Sequence, residues 1–222
     1  MRVPFSSTWG YGHVFPMVPL AQACLAAGHD VLWVSNEPAR PLVEAAGISF
    51  AAAGLTAPGV QDVVLRNRSH VERLAPEDRA AFAFPHMFGA WAAPAMVAGL
   101  IPLASAWRPD LLIHESAELA SPLVGSVLGI PGVTHSYGSA VPPEFLTEAG
   151  DRLAGVWSEH GLTVPPYSGC FQSGYRDIGP PSVQPAVHSY IPRRQLLKPV
   201  SWTGPTTASL PSHRPRPKRC RT

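Results

Sequence analysis

One stretch near the start of the chain constrains its fold more than any other: Phe5-Ser6-Ser7-Thr8-Trp9-Gly10-Tyr11-Gly12-His13-Val14-Phe15-Pro16-Met17-Val18-Pro19-Leu20. A short apolar run enters a loop with two glycines, passes a histidine, and meets a proline where an apolar helical pattern begins. Gly10 and Gly12 let the backbone turn tightly without a Cβ clash. Pro16 suits a first helical turn, where its missing N–H costs nothing. Strand, glycine loop and helix in this order form the opening unit of a parallel α/β sheet. Such sheets bind ligands at the carboxyl ends of their strands. The loop places His13 there, and an imidazole can move a proton near neutral pH.

The alternation continues along the chain. Arg2–Ser7, Val31–Ser35 and Ile48–Ala52 read as strands. Helices over Val18–Ala27 and Glu37–Ala46 separate them, each followed by a glycine, as helix ends favour. Leu111–His114 and Pro131–His135 read as further strands around a helix over Ala117–Leu128, and Pro143–Gly161 has helical spacing in Phe145, Leu146, Leu153 and Trp157. Continuous apolar strands with short connections predict an α/β fold, a Rossmann-like parallel sheet with helices on both faces. From Gly54 to Pro85 the pattern is less regular, and its polar part, Arg66–Arg79, fits either a helix or a mobile excursion. Phe82–Trp107 is rich in aromatic residues and alanine. Its rings either pack the core or line a wide apolar pocket. After Tyr167 prolines and glycines dominate, which reads as extended chain. The expected boundaries are a domain over residues 1–180, a linker-like segment over 181–208 and a disordered basic tail over 209–222.

Charge follows that division. Formal net charge is +2, but five of the 17 basic residues (Arg214, Arg216, Lys218, Arg219, Arg221) lie in the tail, which has no acids. The remaining 12 face 15 acidic residues, so the basic balance argues for no nucleic-acid-binding face on the fold. Cys24, Cys170 and Cys220 form no C-x-x-C pair and support neither a zinc site nor a disulfide framework. No metal is implied by the scattered histidines. No uninterrupted apolar run is long enough to span a membrane. The nearest approach, Phe88–Trp107, carries Gly89, Pro94, Gly99 and Pro102 and reads as a buried or pocket-lining helix. Met1-Arg2 runs straight into a strand, without the pattern of a secretory signal, and a cytoplasmic location is expected.

Two side chains occupy equivalent places in the expected sheet. His13 follows the first strand and Glu115 follows the fourth, so both open on the carboxyl edge and can meet across the crevice. A carboxylate beside an imidazole orients the ring and stabilises its protonated form. Such a pair can serve as general base toward a hydroxyl. A competing reading takes the glycine loop as a dinucleotide cradle with Glu37 as the ribose-binding acid, but Phe15 stands where G-x-G-x-x-G requires its third glycine.

An ordered series of motifs adds a family resemblance over roughly residues 1–205. Gly12-His13-Val14-Phe15-Pro16-Met17-Val18-Pro19-Leu20 is followed by Ala26-Ala27-Gly28-His29-Asp30-Val31, Pro109-Asp110-Leu111-Leu112-Ile113-His114-Glu115 and Leu128-Gly129-Ile130-Pro131. Asp177-Ile178-Gly179-Pro180-Pro181-Ser182 and Pro199-Val200-Ser201-Trp202-Thr203-Gly204 come last. The series resembles the N-terminal, acceptor-binding half of GT-B-fold glycosyltransferases, bacterial enzymes that glycosylate natural products such as macrolides. The resemblance implies an inverting transfer from a nucleotide sugar, the co-substrate rather than a cofactor, to a hydroxyl of a hydrophobic acceptor. It implies His13 as base and Glu115 as its acidic partner, with Glu118 a nearby substitute. Trp9, Gly12, Phe84, Phe88, Trp91 and Tyr137 are the expected acceptor contacts. The family holds its donor mainly on a second domain with a histidine- and glycine-rich loop, and no such loop occurs in these residues. The expectation is therefore a truncated chain, inactive alone. A non-catalytic aglycone-binding remnant or accessory subunit, or a nicotinamide-binding oxidoreductase fragment, are the alternatives.

Overall fold

The structure, a computed structural model, describes residues 1–180, 182, 184, 190–202 and 204. Cys220, the expected tail and most of the segment between residues 181 and 189 lie outside the described residues. Seven strands form the sheet: β1 (Arg2–Ser6), β2 (Asp30–Ser35), β3 (Ser49–Ala52), β4 (Leu112–Glu115), β5 (Gly132–His135), β6 (Tyr175–Asp177) and β7 (Arg194–Leu196). Their spatial order is β3-β2-β1-β4-β5-β6-β7, and every neighbouring pair is parallel. From β1 the chain winds outward through β2 and β3, then returns to lay β4 on the other side of β1. The strand order reverses between β1 and β4, and the crevice at such a switch point is where open α/β sheets bind ligands.

The helices are α1 (Tyr11–Val14), α2 (Val18–Ala26), α3 (Arg40–Ala45), α4 (Ala57–Val71), α5 (Arg79–Phe84), α6 (Ala93–Trp107), α7 (Ser121–Leu128) and α8 (Pro143–Glu159). Alternate residues of each central strand serve opposite cores. Val31 and Trp33 of β2 pack with Val3, Phe5, Met17 and Val43 on one face. Val34 of the same strand packs with Met96, Leu100, Leu112 and Leu123 on the other. Both faces are covered, which is why these strands read as unbroken apolar runs rather than as an alternation.

Four segments differ from the sequence expectation. The irregular stretch after Gly54 is helical: Thr56 Oγ1 accepts from Gly59 N (3.3 Å) to cap α4. Exposed i,i+4 pairs Asp62–Arg66 and Arg68–Glu72 line its solvent side, while Val60 and Val63 are buried. Prolines and glycines do not interrupt the following run, because Pro85–Ala92 forms a π-helix that joins α5 to α6. Gly89 permits this: a Cβ there would lie 2.9 Å from the Ala149 carbonyl oxygen of α8. The run Pro76–Trp107 is 32 residues with mean hydropathy 1.6 in its most apolar window, long and apolar enough to cross a membrane by those measures. Its buried side chains join those of α7 and α8 in one core cluster.

The helix expected from Ala117 begins only at Ser121. The Glu118 carboxylate accepts from Ala120 N (2.8 Å) and Ser121 N (3.2 Å), capping the helix from a preceding turn. Finally, the chain after Tyr167 is not simply extended: β6 and β7 complete the sheet, and β7 lies within the segment read as linker-like. Asp177 accepts from Arg194 Nε (2.8 Å) and Gly179 N (2.8 Å), tying the two strands together. Strands of three residues, Tyr-Arg-Asp and Arg-Gln-Leu, carry too little periodicity to be seen in sequence.

Candidate active site

The site grows from the end of β1. Ser7 and Thr8 are buried, and Gly10 then takes φ +103°, a backbone conformation that a residue with a Cβ adopts only at a cost. Its carbonyl accepts from His13 N (3.2 Å) and Val14 N (3.1 Å), starting α1. His13 therefore stands in the first turn of a short helix rather than in an open loop. Of the two glycines, Gly10 carries the turn; Gly12 is exposed, and a Cβ added there would meet nothing within 4 Å.

Glu115 closes β4 and is fully buried. Its Oε1 accepts from His13 Nδ1 (3.0 Å), Thr8 Oγ1 (2.9 Å) and Thr8 N (3.2 Å), and its Oε2 from Ala117 N (2.5 Å). The ring of His13 is 22% exposed. With Nδ1–H donating to the carboxylate, Nε2 is the basic nitrogen, and no hydrogen bond joins it to a described residue. Burial alone would lower the His13 pKa, but the charge and hydrogen bond of Glu115 outweigh it and hold the imidazole above its ordinary range. Burial would likewise raise the Glu115 pKa. The His13 charge and hydrogen bond, with those from Ala117 and Thr8, hold it below the usual carboxylate range instead. The pair favours imidazolium beside carboxylate.

Aromatic rings surround the imidazole. Its centroid lies 5.0 Å from Tyr137 and 5.5 Å from Phe88. Phe88 in turn meets Trp9 (6.4 Å) and Phe84 (5.1 Å). Phe84, Phe88 and Tyr137, with Val141, Pro142 and Phe145, line an apolar cavity of about 350 Å³. Phe145 was visible in the sequence only as part of a helical pattern; its place at the start of α8, on the carboxyl edge, turns it toward the cavity. Burial and the Glu115 charge push the Tyr137 phenol up, so it stays neutral. Of the expected contacts, Phe84, Phe88 and Tyr137 line the cavity and Trp9 packs on Phe88, whereas Gly12 and Trp91 do not line it: Trp91 packs against His86 (5.8 Å) and under the Arg66 guanidinium (5.9 Å).

Neighbouring ionisable groups serve the fold. Glu118 accepts from Ser6 Oγ (2.8 Å) in addition to capping α7, so it does not compete for His13. His114 donates from Nδ1 to the Glu118 carbonyl (3.0 Å) and faces Thr134 Oγ1 at Nε2 (3.0 Å). Glu37 pairs with Arg40 on the surface (2.6 Å). Among the described residues, no group of three or more His, Cys, Asp or Glu is gathered as metal ligands.

A seven-stranded parallel sheet with this strand order, covered by helices on both faces, is the fold of the N-terminal half of a GT-B glycosyltransferase. The model of the erythromycin biosynthesis protein CIII-like N-terminal domain matches residues 22–169, and the chain belongs to that family of natural-product glycosyltransferases. The match includes Glu115 and the cavity residues, while His13 precedes it. The L-demethylnoviosyl transferase of Streptomyces niveus is 37% identical over 164 residues, 74% of this chain and 42% of that protein. The 3-alpha-mycarosylerythronolide B desosaminyl transferase of Saccharopolyspora erythraea is 28% identical over 172 residues, 70% of this chain and 40% of that protein. Among solved structures, the Streptomyces sp. SF2575 glycosyltransferase SsfS6 superposes with a TM-score of 0.71 at 27% identity, covering 92% of this chain and 56% of that one. SsfS6 has also been solved with thymidine diphosphate. The chain thus spans about half the length of the relatives it matches.

Proposed function

We propose that this domain binds a hydrophobic aglycone and activates its hydroxyl for an inverting transfer of a sugar from a nucleotide sugar. His13 Nε2 takes the hydroxyl proton as the oxygen attacks the anomeric carbon. The bond from that carbon to the nucleoside diphosphate breaks on the opposite face, and the diphosphate leaves with the bonding pair. Glu115 stabilises the imidazolium that results. The cavity lined by Phe84, Phe88, Tyr137 and Phe145 removes the acceptor from water and sets its hydroxyl beside His13. Cavities of this size and lining are typical of small-molecule sites. The donor is proposed to be held largely by a second half, like the remainder of the longer relatives. The reading therefore includes the expectation that residues 1–222 bind acceptor but transfer sugar poorly without that half.

The observation that carries this reading is the 3.0 Å contact of His13 Nδ1 with a fully buried carboxylate, the imidazole packing against Phe88 and Tyr137, two of the rings that line an apolar cavity. The test combines this chain with the C-terminal half of a matching glycosyltransferase, a panel of aromatic and macrolide aglycones, and a thymidine-diphosphate sugar. Transfer is expected only in the combination, and His13→Ala should lower it about 10²–10⁴-fold, the usual worth of a positioned general base. Aglycone binding with no transfer in any combination would instead favour a non-catalytic binding domain.

A further inference from the structure

We infer that Thr8 is a positioning residue: its side chain locks the Glu115 carboxylate in the orientation that holds His13. This rests on the His13–Glu115 reading and deepens it. Thr8 is 4% exposed and is the second residue beyond the end of β1. It contacts one carboxylate oxygen twice, through Oγ1 at 2.9 Å and through its backbone N–H at 3.2 Å, and that oxygen, Oε1, is the one His13 Nδ1 faces. The other oxygen is held by Ala117 N at 2.5 Å. Both oxygens are thereby fixed in space, and a carboxylate turned about its terminal torsion would lose these bonds together.

The hydroxyl does two things. It pins Oε1 in the line of Nδ1, which keeps the imidazole proton on that nitrogen and leaves Nε2 as the base. It also adds a donor to a buried anion, so the carboxylate stays ionised beside the ring. The ring is otherwise faced by Tyr137 from the segment after β5 and by Phe88 from the π-helix, and neither is charged. A further titratable group, His135, sits opposite Glu115 in the β4–β5 ladder. No second carboxylate is in hydrogen-bonding contact with His13 among the described residues, so the orientation of Glu115 decides the imidazole's behaviour.

The experiment titrates the isotopically labelled chain by NMR and reads the pKa and neutral tautomer of His13 from its ring nitrogens. The unaltered chain and Thr8→Ser should both show a raised pKa and a proton on Nδ1. Thr8→Val, nearly isosteric but without the donor, should lower the pKa by on the order of one unit and give a mixture of tautomers. The backbone amide shifts of each variant, compared with those of the unaltered chain, report that the fold is intact. Should Thr8→Val fail to fold, Thr8→Ala removes the same donor with less bulk and is expected to behave alike. A folded Val or Ala variant that keeps the original pKa and tautomer would overturn the role of Thr8 alone. An unaltered chain with an ordinary His13 pKa and no preference for Nδ1 would overturn the His13–Glu115 pairing, and this inference with it.

Discussion

Two histidines stand at the carboxyl edge of the same sheet, and their surroundings drive them in opposite directions. His13, beyond β1, is part-exposed and hydrogen-bonded to an ionised carboxylate, which holds its pKa above the ordinary range. His135, at the end of β5, is 1% exposed and donates from Nδ1 to the Ser136 carbonyl at 2.6 Å. Burial there pushes the pKa down to about 4, against the smaller opposing pulls of the Ser136 hydrogen bond and of Glu115 and Asp177. Glu115 lies near both, yet only His13 bonds it. At His13 the charge and hydrogen bond of Glu115 together outweigh desolvation; at His135, which Glu115 does not bond, desolvation is the larger effect.

The largest test of this contrast is stability against pH. A group whose folded pKa is lowered stabilises the fold above its unfolded pKa and loses that contribution as pH falls. For His135 the loss runs from about 6.5 down through about 4. The change is up to about 3 kcal/mol. His13 has the opposite sign: its raised pKa stabilises the fold below about 6.5, and that contribution fades as pH rises through the folded value. Urea denaturation between pH 4.5 and 8.5 should therefore show an acid limb flattened by His135→Gln and an alkaline limb flattened by His13→Gln. If the two substitutions flatten the same limb, the contrast is wrong.

A narrower test removes the charge and keeps the shape. Glu115→Gln leaves His13 buried as before but without its ionic partner. Its pKa should fall below the ordinary imidazole value, by about 1–2 units from the unaltered protein, while His135 moves far less. Ring-proton shifts measured against pH would read both together, and an unmoved His13 would show that its environment does not depend on the carboxylate. The smallest effect concerns the ring wall that only His13 has. Gly89→Ala would press a methyl group to 2.9 Å from the Ala149 carbonyl oxygen and shift the π-helix that carries Phe88. We expect a loss on the order of 1 kcal/mol in thermal or chemical denaturation, with weaker aglycone binding. Full stability in this variant would mean the π-helix and α8 separate easily.

The same contrast separates what could be read in the sequence from what could not. The strands from β1 to β5, helices α2 and α8, and the places of His13 and Glu115 at adjacent strand ends were all legible. Each follows from local pattern: apolar runs of strand length, helical spacing, and a glycine loop between a strand and a helix. The helix α4, the π-helix and strands β6 and β7 were not. The helix α4 depends on exposed ion pairs and on its packing against the π-helix, the π-helix on its close approach to α8, and the two strands on a buried aspartate joined to an arginine 17 residues away. Trp91 was expected as an acceptor contact, but the π-helix sets it under Arg66 and against His86, away from the cavity lining.

What the residues alone determined is the parallel sheet and the edge on which its chemistry-bearing groups stand, because strand and helix periods are short-range properties of the chain. Only the tertiary structure decided how the Glu115 carboxylate is held, that Phe145 joins the cavity wall, and why burial drives the His135 pKa down. Those outcomes rest on desolvation and on partners brought together across 107 residues of chain, as between Thr8 and Glu115, and no local pattern carries that information.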